Sequence, residues 1–305
     1  MTKPDQLEKW RQTIIGVHRD AGINWLGQLD SLIRDCEKRW EITIHQPFPD
    51  LSYNYVAPAT AKDGMKLVVK LGVPHAEGLC EIEALRYYNG RGMVNLIDSS
   101  ASEGALLLED LRPGHVLSSV LTEEKATEIA AEVMRKLWTA EPSSEPFPFP
   151  ALADWAKGLE RLRSHYDGGT GPLPDRSVAR AEALYLQLLS SMKETRVLHG
   201  DLHHGNILSA EREPWLAIDP KGLIGEAEFE VIAYLRNHLM KHDNPGQVLE
   251  RRIDQLASHL KLDRERMISW GVCHCVLSAW WSVEDGQDDW HEVMACGELF
   301  NGLLK

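Results

Sequence analysis

Three oxygen-bearing side chains at fixed spacing are the chemically informative feature of this chain. Asp201 lies in Leu198-His-Gly-Asp-Leu-His-His-Gly-Asn-Ile-Leu208, Asn206 follows it by five positions, and Asp219 follows in Ile218-Asp-Pro220. Phosphoryl transfer from a nucleotide to a hydroxyl calls for this set. One carboxylate must accept the hydroxyl proton, which is assigned to Asp201. An amide oxygen and a second carboxylate must hold the magnesium that neutralises the phosphates, which is assigned to Asn206 and Asp219. Taken singly, each residue reads as a turn or capping residue; taken together, they read as a site.

A cation for the phosphates is available at Lys70, which ends the apolar run Leu67-Val-Val-Lys70. It can reach α- and β-phosphates if a helix carboxylate holds it. Glu81 and Glu83 lie on the following helix; residues two apart point about 200° apart, so only one faces Lys70. Glu81 is chosen and Glu83 is the alternative. Ala105–Leu111 reads as a strand leading into a hinge whose backbone would read adenine, with Leu108, Glu109 and Leu111 at the nucleotide. There is no Gly-x-Gly-x-x-Gly or Walker loop, so the turn near Ala59–Gly64 would have to cover the nucleotide. His199, His203 and His204 lack a convincing fourth zinc ligand, and Cys273-His274-Cys275 is too crowded in sequence to converge on one tetrahedral ion. These two cysteines read as helix core, and His199 as a support for the catalytic loop.

The elements that must position these groups follow from periodicity. Residues 4–38 have helical apolar spacing. Strand-like stretches follow at Trp40–Ile44, Leu51–Val56 and Lys66–Lys70, the last two separated by the Asp63-Gly64 turn. A helix is predicted over Glu77–Tyr88, then strands at Val94–Ile97 and Ala105–Leu108. Past Leu111-Arg-Pro-Gly114 the text is mostly helical: Thr122–Ala140, Leu152–Tyr166, Val178–Lys193, Val231–Lys241, Val248–Leu260 and Arg264 onward. The proline-rich stretch 141–150 is a non-helical connector. The expected fold is α+β and two-lobed: residues 1–110 a small lobe with an antiparallel sheet and helix, and residues 111–305 a large, mostly helical lobe carrying the catalytic loop and acceptor site.

Composition sets limits. With 305 residues the chain is long enough for two lobes. A net charge of -13 argues against nonspecific nucleic-acid binding and permits a cationic partner. No apolar run is long enough to span a bilayer, and five scattered cysteines fit a reducing compartment, so a cytoplasmic location is expected. The C-terminal stretch Ser278–Trp290 is dense in tryptophan and carboxylate, which suits a polar or cationic small molecule; its alternative reading is a core-facing helix followed by an acidic turn.

Several segments together resemble the streptomycin 6-phosphotransferase and hydroxyurea-kinase branch of the aminoglycoside phosphotransferases. They are Asn89–Val94, Leu107–Gly114, Leu198–Ile207, Ile218-Asp-Pro-Lys-Gly-Leu-Ile-Gly225 and Leu277–Trp280, so the resemblance runs from about residue 20 to 285. It departs at Phe229-Glu230, where many relatives place an aspartate. The resemblance implies a protein-kinase-like fold, ATP as donor, magnesium, and phosphorylation of a streptomycin hydroxyl. Asp201 would be the base, Asn206 and Asp219 the metal ligands, and Lys70 the phosphate clamp. Glu230, Trp280, Glu284 and Asp285 are placed on the acceptor side. A kinase of hydroxyurea or of another hydroxylated metabolite is the alternative. A nucleotide-binding pseudokinase is the rival of another class, and the presence of all four polar groups argues against it. A protein kinase is disfavoured because Asp-Phe-Gly and Ala-Pro-Glu segments are missing.

Overall fold

The computed structural model describes residues 3–120, 122–139 and 149–304, so most of the proline-rich connector lies outside the described residues. The chain divides into two compact units, Met1–Gly114 with Ala210–Arg212, and His115–Ser209 with Glu213–Lys305.

The first unit opens on α1 (Lys3–Trp40), a long helix interrupted at Arg19, whose φ of 50° is not helical. Five strands follow: β1 (Ile42–Ile44), β2 (Tyr55–Ala61), β3 (Lys66–Leu71), β4 (Leu96–Ser100) and β5 (Ala105–Glu109), with α2 (Ala76–Tyr88) between β3 and β4. The sheet order is β1-β2-β3-β5-β4, and the pairings are antiparallel. Alternation explains its buried face: Tyr55, Ala57 and Ala59 of β2 and Leu67, Val69 and Leu71 of β3 pack with Trp10, Ile14, Trp25 and Leu29 of α1. The β2–β3 turn is built on Asp63-Gly64, with Gly64 at φ +90° and the Asp63 carboxylate accepting the Met65 N–H at 3.0 Å. The strand expected at Leu51–Val56 starts later, at Tyr55, and runs to Ala61, because Leu51 to Asn54 form bends before the alternating run begins.

The second unit is mainly helical: α3 (Glu123–Leu137), α4 (Leu152–His165), α5 (Asp175–Ser191), α6 (Ala227–Arg236), α7 (Pro245–Leu260), α8 (Arg264–Glu284) and α9 (Trp290–Leu303). Thr122 caps α3 by accepting the Lys125 N–H. The mostly helical character expected here is the one present, and short strands that the sequence reading did not pick out accompany it. Five short strands, β6 (Pro113–Val116), β7 (Arg196–Leu198), β8 (Ile207–Ala210), β9 (Trp215–Ala217) and β10 (Leu223–Gly225), form a β6-β8-β9 sheet and a β7-β10 pair. The helix expected over Val231–Lys241 starts earlier and ends at Arg236; Asn237 leaves the helix as its C-cap. The helical text from Arg264 is two helices, separated around Asp285-Gly286 with Gly286 at φ +68°.

The end of α6 is tied down by a buried cation. Arg252 of α7 is about 1% exposed; it donates to the carbonyls of Leu235 at 3.0 Å and Asn237 at 2.9 Å, and pairs with Glu123 at 2.6 Å. It thereby satisfies carbonyls that a helix end leaves orphaned. Arg252→Ala strands those carbonyls and is expected to cost about 3–5 kcal/mol. Urea unfolding of the variant measures this, and a change under 1 kcal/mol would mean that water replaces the guanidinium.

Candidate active site

β7 and β10 pair antiparallel with Leu198 opposite Leu223, so the loop leaving β7 at His199 and the segment entering β10 begin side by side. The β8–β9 hairpin does the same further along, with Ile207 opposite Ala217; beyond it the Ile218 N–H donates to the Asn206 carbonyl at 3.0 Å. Two short ladders thus bring Asp201, Asn206 and Asp219 onto one loop system, although 18 positions of sequence separate the first from the last. Gly200 at φ +81° and Asp219 at φ +58° adopt the left-handed conformation, which glycine accepts freely and aspartate tolerates.

The side-chain bonds are local and mutually consistent. Asn206 Nδ2 donates to the Asp201 carbonyl at 2.9 Å. This fixes the amide with its nitrogen engaged, so Oδ1 is the atom it offers outward. Hard oxygens from Asn206 and Asp219 are the donor set a magnesium ion takes, and the site chemistry fits that ion. His199 is fully buried. Its Nδ1 accepts the Asp201 N–H at 3.2 Å, so its Nε2 carries the proton and meets the Ile218 carbonyl at 2.8 Å. Burial lowers its pKa to about 4 even though the Ile218 carbonyl favours the charged ring. A neutral imidazole therefore spans from the Asp201 backbone to the residue before Asp219. His203 Nδ1 accepts the Gly205 N–H at 3.0 Å, and His204 stacks on Tyr234 with ring centroids 4.2 Å apart. Among the described residues no group of three or more His, Cys, Asp and Glu side chains is arranged to hold a metal ion.

In the first unit, Lys70 Nζ lies 2.6 Å from Glu81 Oε1, with the two side chains 6% and 13% exposed. Glu83 instead pairs with Arg86. Lys70 sits on β3 opposite Val56 and Leu106, so the sheet fixes its base while α2 supplies the carboxylate. Leu108 is buried within β5, opposite Val68 and Leu96, and Leu111 is buried just beyond the strand. The Glu109 N–H donates to the Asn95 carbonyl at 3.0 Å, so any reading of a base on this strand falls to other backbone groups.

The chain matches the family model described as aminoglycoside/hydroxyurea antibiotic resistance kinase over residues 39–286. It belongs to that family. It is 33% identical over 273 residues to the streptomycin 6-kinase of Streptomyces griseus, covering 88% of this chain and 87% of that one. It is also 33% identical over 269 residues to the hydroxyurea phosphotransferase of Kitasatospora aureofaciens, covering 88% and 77%. The fold is shared with an aminoglycoside phosphotransferase solved with ADP and hygromycin B (TM-score 0.66, 13% identity, 89% and 97% covered). It is shared as well with the choline kinase LicA of Streptococcus pneumoniae (TM-score 0.65, 14% identity, 90% and 99% covered). The α+β, protein-kinase-like architecture expected from the sequence is therefore the one present. No helix among the described residues is long and apolar enough to cross a membrane.

Within this kinase, two residues expected at the acceptor are buried. Glu230 of α6 is about 1% exposed and faces the loop from beneath: Oε2 accepts the His199 N–H at 2.6 Å and Oε1 the Gly200 N–H at 3.0 Å. It is a positioning residue. Trp280 is also about 1% exposed and belongs to the α8 core, with no ring face for a ligand. Glu284 is exposed and paired with Arg161 at 3.3 Å, and Asp285 is the C-cap of α8. Sequence reading missed Arg212, at the tip of the β8–β9 hairpin. It donates to the carbonyls of Gly90 and Met93, each at 2.8 Å, and pairs with Glu109 at 3.0 Å. A charged residue in a polar turn carries no signal of such a role.

Burial raises the Glu230 carboxyl to about 7, against the two N–H bonds that favour its charge. A folded pKa above the ordinary 4.5 contributes stability that is complete below 4.5 and lost as pH rises through 7. The amide in Glu230→Gln does not titrate. Wild type should therefore lose about 3 kcal/mol of stability relative to this variant from pH 4.5 to above pH 7. Urea unfolding across that range reads it, and a pH-independent difference would contradict the buried charge.

Proposed function

We propose that this kinase transfers the γ-phosphoryl group of ATP to a hydroxyl of streptomycin or a closely related aminoglycoside. The observation that carries the reading is the Asn206 amide held on the Asp201 carbonyl, with Asp219 brought alongside through Ile218. In this reading the Asp201 carboxylate orients the acceptor hydroxyl and takes its proton as the new O–P bond forms and the β–γ bridging bond breaks, releasing ADP. Magnesium, held by Asn206 Oδ1 and Asp219, would neutralise charge on the phosphates. Lys70, kept straight by Glu81, contacts the α- and β-phosphates, and backbone groups around Leu108–Leu111 contact the adenine. Glu230 and His199 touch no substrate; they hold the backbone on which Asp201 stands. The similarity to streptomycin kinases over most of the chain supports the acceptor class.

A second acceptor, hydroxyurea, is favoured by the equally similar hydroxyurea phosphotransferase. Both are small molecules, and the site requirement for a base and a phosphate clamp is the same for each.

Magnesium-dependent ADP release is expected to be stimulated by streptomycin, and a panel with hydroxyurea and other aminoglycosides ranks the acceptors. Asp201→Ala should lower kcat by about a hundredfold or more, and an unchanged kcat would remove Asp201 from the base role. Lys70→Ala should reduce kcat/KM for ATP, with circular dichroism checking that the variant folds; an unchanged value would remove it from the phosphates.

A further inference from the structure

One tryptophan, Trp155, borders the catalytic loop, and a second, Trp281, packs on the first. Trp155 lies in the first turn of α4, beside the bridge between Ala151 and Ile224 that ties the start of this helix to β10. A Cβ placed on Gly200 would stand 3.7 Å from the Trp155 ring carbon Cη2, so this indole borders the backbone immediately before Asp201. Trp281 of α8 meets Trp155 edge to face, with centroids 5.2 Å apart and planes at 87°. Buried Phe229 backs Trp155 from below, with centroids 5.8 Å apart. Gly158 lets the second indole lie close to α4: a Cβ there would meet Leu277 at 2.4 Å and Trp281 Nε1 at 3.5 Å. Trp270 and Trp280 are buried, whereas Trp155 and Trp281 are only half-buried and keep ring surface for a ligand.

Two basic residues of α4 are already engaged, Lys157 with Asp154 at 2.8 Å and Arg161 with Glu284 at 3.3 Å. Asp201 adds a carboxylate to the loop, and the whole chain carries a net charge of -13. Lys221 also borders Gly200, and the Arg161 guanidinium lies near Trp281, with Nη2 3.8 Å from the same Cβ position on Gly158. Resting on the kinase reading above, we propose that Trp155 and Trp281 form an aromatic wall beside Asp201 that takes a guanidinium or ammonium group of the acceptor against a ring face. An indole face attracts such groups more strongly than the benzene ring of Phe, and an aliphatic side chain lacks the attraction. The wall sets specificity: it holds a cationic aminocyclitol and adds nothing for a neutral acceptor such as hydroxyurea.

The test is calorimetric binding of streptomycin, whose guanidinium groups make it the cationic probe, to wild type, Trp281→Phe, Trp281→Leu and Trp155→Leu. Thermal unfolding of each variant checks the fold. Kd should rise roughly 3- to 30-fold in the leucine variants and less in Trp281→Phe, with KM for hydroxyurea within about twofold of wild type. Unchanged Kd, a phenylalanine loss equal to the leucine loss, or an equal penalty on hydroxyurea would overturn the wall. Wild type that binds no streptomycin would overturn it too. The two readings fail separately: streptomycin bound in the expected rank order but never phosphorylated leaves the wall standing and removes the proposed reaction. Streptomycin phosphorylated with all variants equal to wild type does the reverse.

Discussion

Everything at the catalytic loop depends on one buried carboxylate. Glu230 accepts two consecutive backbone N–H groups, from His199 and Gly200, and so fixes the direction in which the chain leaves β7. The next residue is Asp201. Burying a carboxylate is expensive, and two charge-assisted bonds offset only part of the cost, which is why its proton affinity is raised. The fold thus carries a local destabilisation that serves the position of the loop. α6 delivers Glu230, and Arg252 locks the end of α6, so the chain of support runs from a buried guanidinium to Asp201, the proposed base.

The second layer of support is neutral. His199 links the Asp201 N–H to the Ile218 carbonyl, and its own carbonyl accepts the Lys221 N–H at 2.7 Å. A charged imidazole there would have lost its acceptor nitrogen and with it the bond to Asp201. Its depressed pKa keeps that bond at any pH near neutrality. The Asn206 amide closes the loop from the other end. The five-residue separation of Asp201 and Asn206 is the distance at which the amide can return to the aspartate carbonyl, so the spacing seen in the sequence is a consequence of loop closure.

What the sequence made legible follows from what can be local. Asp201, Asn206 and Asp219 stand out because His-Gly-Asp, an Asn five positions later and Ile-Asp-Pro occur together within a short stretch. Helical phase limited the partner of Lys70 to one of Glu81 and Glu83, and the ion pair shows it to be Glu81. The sheet of the first unit was legible through the Asp63-Gly64 turn and the apolar run of β3, although β2 lies mostly C-terminal to the strand expected at Leu51–Val56. Burial of polar groups was not legible. Glu230 has the same letter whether it faces a ligand or two backbone amides. α8 is buried on nearly all sides from Met267 to Trp280, so no amphipathic phase marks Trp281, rather than Trp280, as the partly exposed indole. Strands of three or four residues such as β7 to β10 are too short for periodicity, and the break at Arg19 has no proline or glycine at that position to announce it.

The most direct test of the account follows radiolabel from the γ-phosphate of ATP to streptomycin under a magnesium titration, for wild type and Asn206→Ala. Label should appear on the acceptor with wild type, and the variant should need several-fold more magnesium for half-maximal transfer, since one of its two protein ligands is gone. Label transferred by both proteins with the same magnesium dependence would contradict the assignment of the loop from Asp201 to Asp219 as the phosphoryl-transfer site.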